Sequence, residues 1–335
     1  MSAVQTSGFD AATREEIAAS LRELFEKRTG AQDIAPLLAE LGWAEVLAED
    51  PATAVTLLFT EHGRALASSR ALDDVMLAEL SEVLPTGRRR AVIYPHPPQG
   101  SVALRCDEPI VGLSLGSLTD IDEAVIAATL PGGAVGLIAL TAADLCVSAE
   151  SLGGFDFDSG WRIVTAVVPK DVEAICAAAQ WDRAVAAGRR ALAAEILGVC
   201  DTALNLVTSH AAARVQFGRP IGSFQAVRHR LSEAYVAMAG ARAVLDNAYA
   251  VAGSDAEVWA ALIAKIRAGH AQAVLMRHAV QVFGAIGLTR ESDIHRYVER
   301  AAALDALLGG HQALTEVVGS AFLDGDEVDA AFEML

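Results

Sequence analysis

Apolar positions in the first eighty residues recur with a helical period. TREEIAASLRELFEKR sets Ile17, Leu21, Leu24 and Phe25 at i, i+4, i+7 and i+8, one face of a helix. Thr13 and Glu16 have the spacing of a capping box at its start. LLAELGW follows, with Gly42 suited to a helix end, and TAVTLLFTEHGRALASS predicts another helix. Around Pro85 the pattern changes, because PTGRRR and YPHPPQG put prolines and glycines where helices cannot continue. Short apolar runs then alternate with Gly, Pro and Asp: AVIYP, SVALRC, AVGLIALTA and WRIVTAVV predict a small β-rich domain. From residue 181 the chain is again helical, broken at GRPIGSF. Residues 183–213, 223–253 and 257–283 each run well beyond a mean helix of about 11 to 12 residues and should pack as an antiparallel bundle. The fold class expected is mostly α with a small β-domain, in three parts: an abbreviated N-terminal helical domain over 1–85, a middle β-domain over 86–180 and a C-terminal four-helix bundle over 181–335.

Composition narrows the partners. The 335 residues are 53% hydrophobic and 21% charged, enough apolar surface for a large core and for subunit contacts. A net charge of -17 opposes binding to nucleic acid or anionic lipid, so an anionic ligand must be met by local cations. Cys106, Cys146, Cys176 and Cys200 lie far apart with no CxxC pair, and no histidine stands at metal-ligand spacing, so no metal site is expected and the cysteines read as buried groups in a reducing cytoplasm. The N-terminus lacks a basic region followed by an apolar run, and no uninterrupted apolar stretch approaches the roughly 20 residues of a membrane span.

Two stretches carry candidate chemistry. ARVQFGRPIGSFQAV, between two long helices, offers Arg214 and Arg219 as anion-pairing forks, Gln216 and Gln225 as amide donors, and Phe217 and Phe224 as flat apolar faces. The set suits the diphosphate and adenine of a dinucleotide; it also suits a solvated helix corner. QVFGAIGLTRE, ending a long helix, offers the Gln281 amide, with Gly284 and Gly287 allowing close backbone approach; a glycine-rich helix end reads the same way.

In that order the two stretches, RVQFGRPIGSFQAV and QVFGAIGLTRESDIHRYVERA, closely resemble the C-terminal domain of the acyl-CoA dehydrogenases, which carries an R-x-Q-F-G-x-P-I and a Q-x-x-G-G-x-G segment. LAELGWAEVLAEDP and FTEHGRALASS resemble, more weakly, that family's N-terminal helical domain. The resemblance implies an acyl-CoA substrate and an FAD cofactor shared across a subunit boundary. Arg214, Gln216, Phe217, Phe224 and Gln225 would meet its diphosphate and adenine, and Gln281, Gly284 and Gly287 would meet it from the second segment. Ala285 stands where the family has another glycine, tolerable only with an ordinary backbone there.

The family's chemistry needs a carboxylate base in a dry pocket, normally in a Glu-Gly pair. Aligning VERAAALDALLGGHQ puts Gly309 in its place, so no catalytic residue is assigned to this chain; a second family location falls near Gly188 or Arg189. Glu195 and Glu233 read as solvated on surface helices. Between Ala71 and Ala91 there is no room for the family's pair of helices, and the flavin-facing signature of the β-domain is missing from TAADLCVSAESLGGFDFDSGW. These losses resemble the shortened subunit of actinobacterial steroid side-chain acyl-CoA dehydrogenases, paired with a homologous full-length subunit in an α2β2 assembly. Two rivals are a homo-oligomeric dehydrogenase whose base is Glu291 or Asp305, and a scaffold that keeps only the fold. Arg88, Arg89 and Arg90 read as a solvated linker, DGDEVD lacks the ligand spacing of a calcium loop, His295 and His311 read as capping or packing groups, and Trp259 and Tyr297 as core.

Overall fold

The computed structural model describes residues 8–27, 34–96, 104–105, 109–130, 133–147, 152, 156, 159–168 and 173–324. DGDEVD beyond Asp324 and most of SLGGFDFD lie outside them.

Five helices come first: α1 (Ala11–Lys27), α2 (Ala35–Glu40), α3 (Trp43–Glu49), α4 (Pro51–Arg64) and α5 (Ala71–Ala78). Ile17 is only partly buried, while Leu21, Leu24 and Phe25 sit in the core. The cap of α1 is Asp10, whose Oδ1 accepts from Thr13 N–H at 2.8 Å, not the expected Thr13 and Glu16 pair; the aspartate lies three residues upstream, where its carboxylate meets a free first-turn N–H. Asp50 caps α4 in the same way, accepting from Thr53 N–H at 3.0 Å, with Pro51 opening the helix. Gly42 closes the turn after α2 with φ 70°, a left-handed conformation. One short helix, α5, occupies the stretch before the sheet.

Eight strands follow: β1 (Arg90–Pro95), β2 (Leu104–Arg105), β3 (Ile110–Ser114), β4 (Glu123–Thr129), β5 (Val135–Thr141), β6 (Leu145–Val147), β7 (Arg162–Ala166) and β8 (Cys176–Ala177). Their order is β6-β7-β3-β1-β4-β5-β8, with β2 beside β4. β1 and β2 run parallel to β4; the other pairs are antiparallel, with Ile126 opposite Ile138 in the longest. One face, including Val92, Tyr94, Val125 and Leu137, packs on the helical core, and the other forms a second core of Ile93, Ile110, Ile126 and Ile138. Burial on both faces explains why these strands read as apolar runs without alternation. Arg88 and Arg89 reach solvent as expected, but the side chain of Arg90 in β1 is covered, and both it and Arg88 pair with Glu123.

The C-terminal part holds α6 (Ala178–Ala213), a hairpin of β9 (Val215–Gln216) and β10 (Arg219–Pro220), α7 (Gln225–Ala250), α8 (Glu257–Phe283), a 3-10 turn (Gly284–Leu288), α9 (Ile294–Ala306) and α10 (His311–Asp324). Helical structure therefore breaks at four places, not only at GRPIGSF, because Gly253, Gly284 and Gly309 all have positive φ at or after helix ends. The central helix, α6, is buried on nearly every side from Ala184 to Cys200. Among the described residues it alone has the length and apolarity to cross a bilayer, and 67% of that apolar window is buried inside the bundle, as a core helix requires. Small residues let its neighbour α4 approach closely: a Cβ at Gly63 would lie 2.1 Å from the Glu195 carbonyl oxygen, and one at Gly198 2.1 Å from that of Thr60. Asp201 adds a charged clasp, accepting from Arg64 of α4 and Arg242 of α7.

Candidate functional site

α6 ends at Ala213 because the chain turns into a hairpin whose two turn residues, Phe217 and Gly218, have φ of 53° and 77°. Positive φ at both positions is the turn that fits twisted strands, yet Phe217 is not glycine and its side chain is 92% exposed. A strained, solvent-facing phenylalanine is costly to maintain unless something covers it. Its ring meets Phe224 edge-on at 6.2 Å, and the Arg219 guanidinium lies over Phe224 at 4.2 Å from its centroid.

Arg214, Gln216 and Gln225 are exposed along this corner, with the Gln216 amide donating only to the adjoining Val215 carbonyl. Among the described residues no carboxylate pairs with Arg214 or Arg219, leaving local positive charge in a chain of net charge -17. The second stretch reaches this corner through one ring stack, His210 on Phe283. Near Phe283, Gln281 and Gly284 are exposed, and Gly284 takes φ 65°, ψ -141°, open only to glycine. Gly287 is buried, and a Cβ there would meet that of Phe283 at 2.8 Å. Ala285 does not have positive φ, the condition its substitution required. Exposed cations, free amide donors, an uncovered aromatic ring and a bare glycine turn fit the diphosphate and adenine of a flavin dinucleotide.

The position that the sequence aligns with the family's base is built differently. Gly309 has φ 98°, and its carbonyl accepts from Lys265 Nζ at 3.2 Å; the Asp305 carbonyl accepts from the same ammonium at 2.7 Å. Lys265 is fully buried, and burial brings its pKa down to about 8 against the opposing pull of Asp305. Arg189 donates to the Leu308 carbonyl at 3.2 Å, its pKa lowered to about 10 by burial. Two buried cations thus clamp the loop that would carry the base. Asp305 already serves Lys265 at 3.5 Å and His311 at 2.7 Å, and Glu291 is exposed.

Glu195 departs from the solvated position expected of it and is only 4% exposed, because α6 is the core helix and carries no outer face there; its carboxylate accepts from His62 Nδ1 at 2.9 Å. Glu233 does reach solvent, while touching His278 at 2.9 Å. Trp259 and Tyr297 are half-buried, and His295 donates to the Ser292 carbonyl. Sequence reasoning missed His62, Ser69, Lys265 and Arg300; the last is 3% exposed and binds Asp156 and the Ala67 carbonyl. The only signal was a charged or polar residue inside an apolar run, as in AALIAKIRAG.

Residues 179–323 match the model of the acyl-CoA dehydrogenase C-terminal domain. Acyl-CoA dehydrogenase IpdE2 of Mycolicibacterium smegmatis is 42% identical over 118 residues, which are 35% of this chain and 37% of that protein; the match thus spans little more than a third of the relative. Among solved structures, a variant of the Tcur3481–Tcur3483 steroid ACAD superposes with a TM-score of 0.74 at 25% identity, over 94% of this chain and 98% of the other. The ChsE4–ChsE5 complex from Mycobacterium tuberculosis gives 0.73 at 19% identity, over 94% and 98%, a likeness of fold. With the motif-bearing helices matched and the three-part architecture shared, residues 179–323 are an acyl-CoA dehydrogenase C-terminal domain, and the chain as a whole has the fold of the solved steroid ACAD.

Proposed function

We propose that this chain is the base-lacking subunit of a cytoplasmic α2β2 acyl-CoA dehydrogenase, joined to a homologous full-length subunit, that introduces an α,β double bond into steroid side-chain CoA thioesters. The observation that carries this is Gly309: at the family's base position the chain has a left-handed glycine whose carbonyl is held by a buried ammonium. The neighbourhood of steroid ACAD structures, one of them a ChsE4–ChsE5 complex, supports the heteromeric reading.

In this assembly Arg214 pairs with the flavin diphosphate, Gln216 donates to it, and Phe217 and Phe224 offer their faces to the adenine. Gln281 and the backbone of Gly284 and Gly287 meet the same cofactor from the second segment. When bound, the flavin accepts the hydride; the partner supplies the carboxylate that takes the α-proton. This chain's part is to hold the cofactor's far end and cover it from water.

Co-expression with full-length acyl-CoA dehydrogenase subunits, followed by gel filtration and a visible spectrum, tests the reading. The expected result is a complex with one flavin per two chains, and an Arg214→Ala/Gln216→Ala pair that loses most of its flavin with Tm of the isolated chain unchanged. One flavin per chain with full turnover in this polypeptide alone would refute it.

A further inference from the structure

Where α4, α6, α9 and the sheet meet, a chain of hydrogen bonds links groups of catalytic type that the flavin reading leaves unused. Ser69 Oγ lies 2.9 Å from His62 Nε2, and His62 Nδ1 lies 2.9 Å from Glu195 Oε1. A carboxylate can only accept, so Nδ1 carries a hydrogen, and in the neutral tautomer with that arrangement Nε2 offers its lone pair to the serine hydroxyl. This is the nucleophile, base and orienting acid of acyl-transfer sites, recognised by geometry and not by chain order. The imidazole is fixed by the Phe25 ring, edge-on at 5.5 Å and 85°, and the side chains of His62 and Glu195 are 6% and 5% exposed. Ser69 is half-buried in the turn between α4 and α5, within reach from outside.

The three line a partly open cavity of about 20 Å³, together with Trp161, Leu115 and Arg300, with room for one water molecule that an acetyl group must displace. Among the described residues Arg300 Nη2 is buried with no hydrogen-bond partner, while Nε and Nη1 hold Asp156 and the Ala67 carbonyl. An unpartnered guanidinium N–H beside a serine and a histidine is placed to meet developing negative charge.

We propose that Ser69, His62 and Glu195 hydrolyse small acyl thioesters of acetyl size. Ser69 Oγ adds to the thioester carbonyl carbon as its proton passes to His62 Nε2, and Arg300 Nη2 donates to the oxyanion. The C–S bond then breaks, the departing thiolate takes the proton from His62, and an acyl ester remains on Ser69. Water adds by the same path, giving its proton to Nε2; the ester bond breaks, the carboxylic acid leaves and the hydroxyl is restored. No oxidant or reductant enters. Glu195 touches no substrate and is a positioning residue for the imidazole. None of these residues belongs to the flavin-binding segments, so the inference stands or falls apart from the flavin reading.

The test treats the full chain with methanesulfonyl fluoride and with p-nitrophenyl acetate, maps adducts by mass spectrometry, and follows thiol release from an acetyl thioester. A single adduct at Ser69 is expected, absent in Ser69→Ala and retained in Ser68→Ala, with acylation slowed ~10³-fold in His62→Gln. Glu195→Gln should lower the rate and move its pH profile, which a merely structural role would not do. No adduct on Ser69 in the folded protein, or one formed equally fast in His62→Gln, overturns the proposal; should His62→Gln fail to fold, an adduct that follows Ser68 instead of Ser69 does so.

Discussion

The imidazole of His210 lies flat on the ring of Phe283, with 4.2 Å between centroids and 19° between planes. The contact fastens the last turn of α6, which leads into the Arg214 hairpin, to the last turn of α8, which leads into Gly284. Two segments far apart in sequence become one corner through this stack.

Burial, and then the positive charge of Arg214, hold the His210 pKa below its ordinary value. The unfolded chain takes up this proton near pH 6.5 and the folded one only at lower pH. Its contribution to stability is therefore intact above the unfolded pKa and is lost as pH falls from there toward the folded value. His210→Phe keeps a stacked ring and removes the titration, so its Tm should match the wild type at pH 8 and exceed it at pH 5. His210→Ala should lose ~1 kcal/mol at pH 8 and less at pH 5, because it too removes the titration. An unchanged acid limb in His210→Phe would show the ring does not titrate as described.

The crossing of α4 and α6 makes a sharper prediction. Adding one methyl at Gly198 puts Cβ 2.1 Å from the Thr60 carbonyl oxygen, a backbone atom that cannot swing aside. Gly198→Ala should cost ~3 kcal/mol or more in urea denaturation, by forcing the helices apart. Gly319, on α10, is the control, because a Cβ there would meet nothing within 4 Å. Gly319→Ala should gain ~0.5 to 1 kcal/mol from helix propensity alone.

These glycines show what the sequence could and could not tell. α8 was legible to its last residue because a long periodic run stops at a glycine. β3 and β4 were not singled out, since IVGLS and EAVIAAT are short runs buried on both faces and alanine has little β preference. The Arg214 corner was legible as a motif, and its exposed character needed the structure. Glu195 was misread because a glutamate on a long helix is ordinarily solvated; its partner His62 sits on α4, and no local pattern links them.

Asp73 gives a second pH test, at the joint between α5 and β1. It is 1% exposed, accepts from the Tyr94 hydroxyl at 2.8 Å, and its other oxygen has no partner among the described residues. Burial pushes its pKa up to about 7. Between the unfolded value near 3.9 and about 7 the native state binds the extra proton, so stability falls as pH rises through that window and levels off above it. Asp73→Asn cannot ionise, should lose this slope, and should exceed the wild type at pH 8 by up to about 4 kcal/mol. A wild-type stability that instead rises from pH 4 to 7 by the same amount in both proteins would exclude Asp73 as the source.

Gly309→Glu asks whether the base position is vacant or rebuilt. A residue with a side chain at φ 98° is strained, and its Cβ would approach Leu314 Cδ2 to 2.7 Å. The Lys265 ammonium, 3.2 Å from the residue's own carbonyl, would hold a nearby carboxylate's pKa down. A base that abstracts a proton in a dry pocket needs the opposite shift. The variant should lose several degrees of Tm and show no acyl-CoA oxidation by the chain alone with FAD and an electron acceptor supplied. Adding Lys265→Met removes the opposing charge but leaves the Asp305 and Gly309 carbonyls without their donor, at a further cost of ~1 to 3 kcal/mol. Turnover appearing in Gly309→Glu alone would mean that the pocket was intact and lacked only its carboxylate, and would count against the proposal that a partner subunit abstracts the proton.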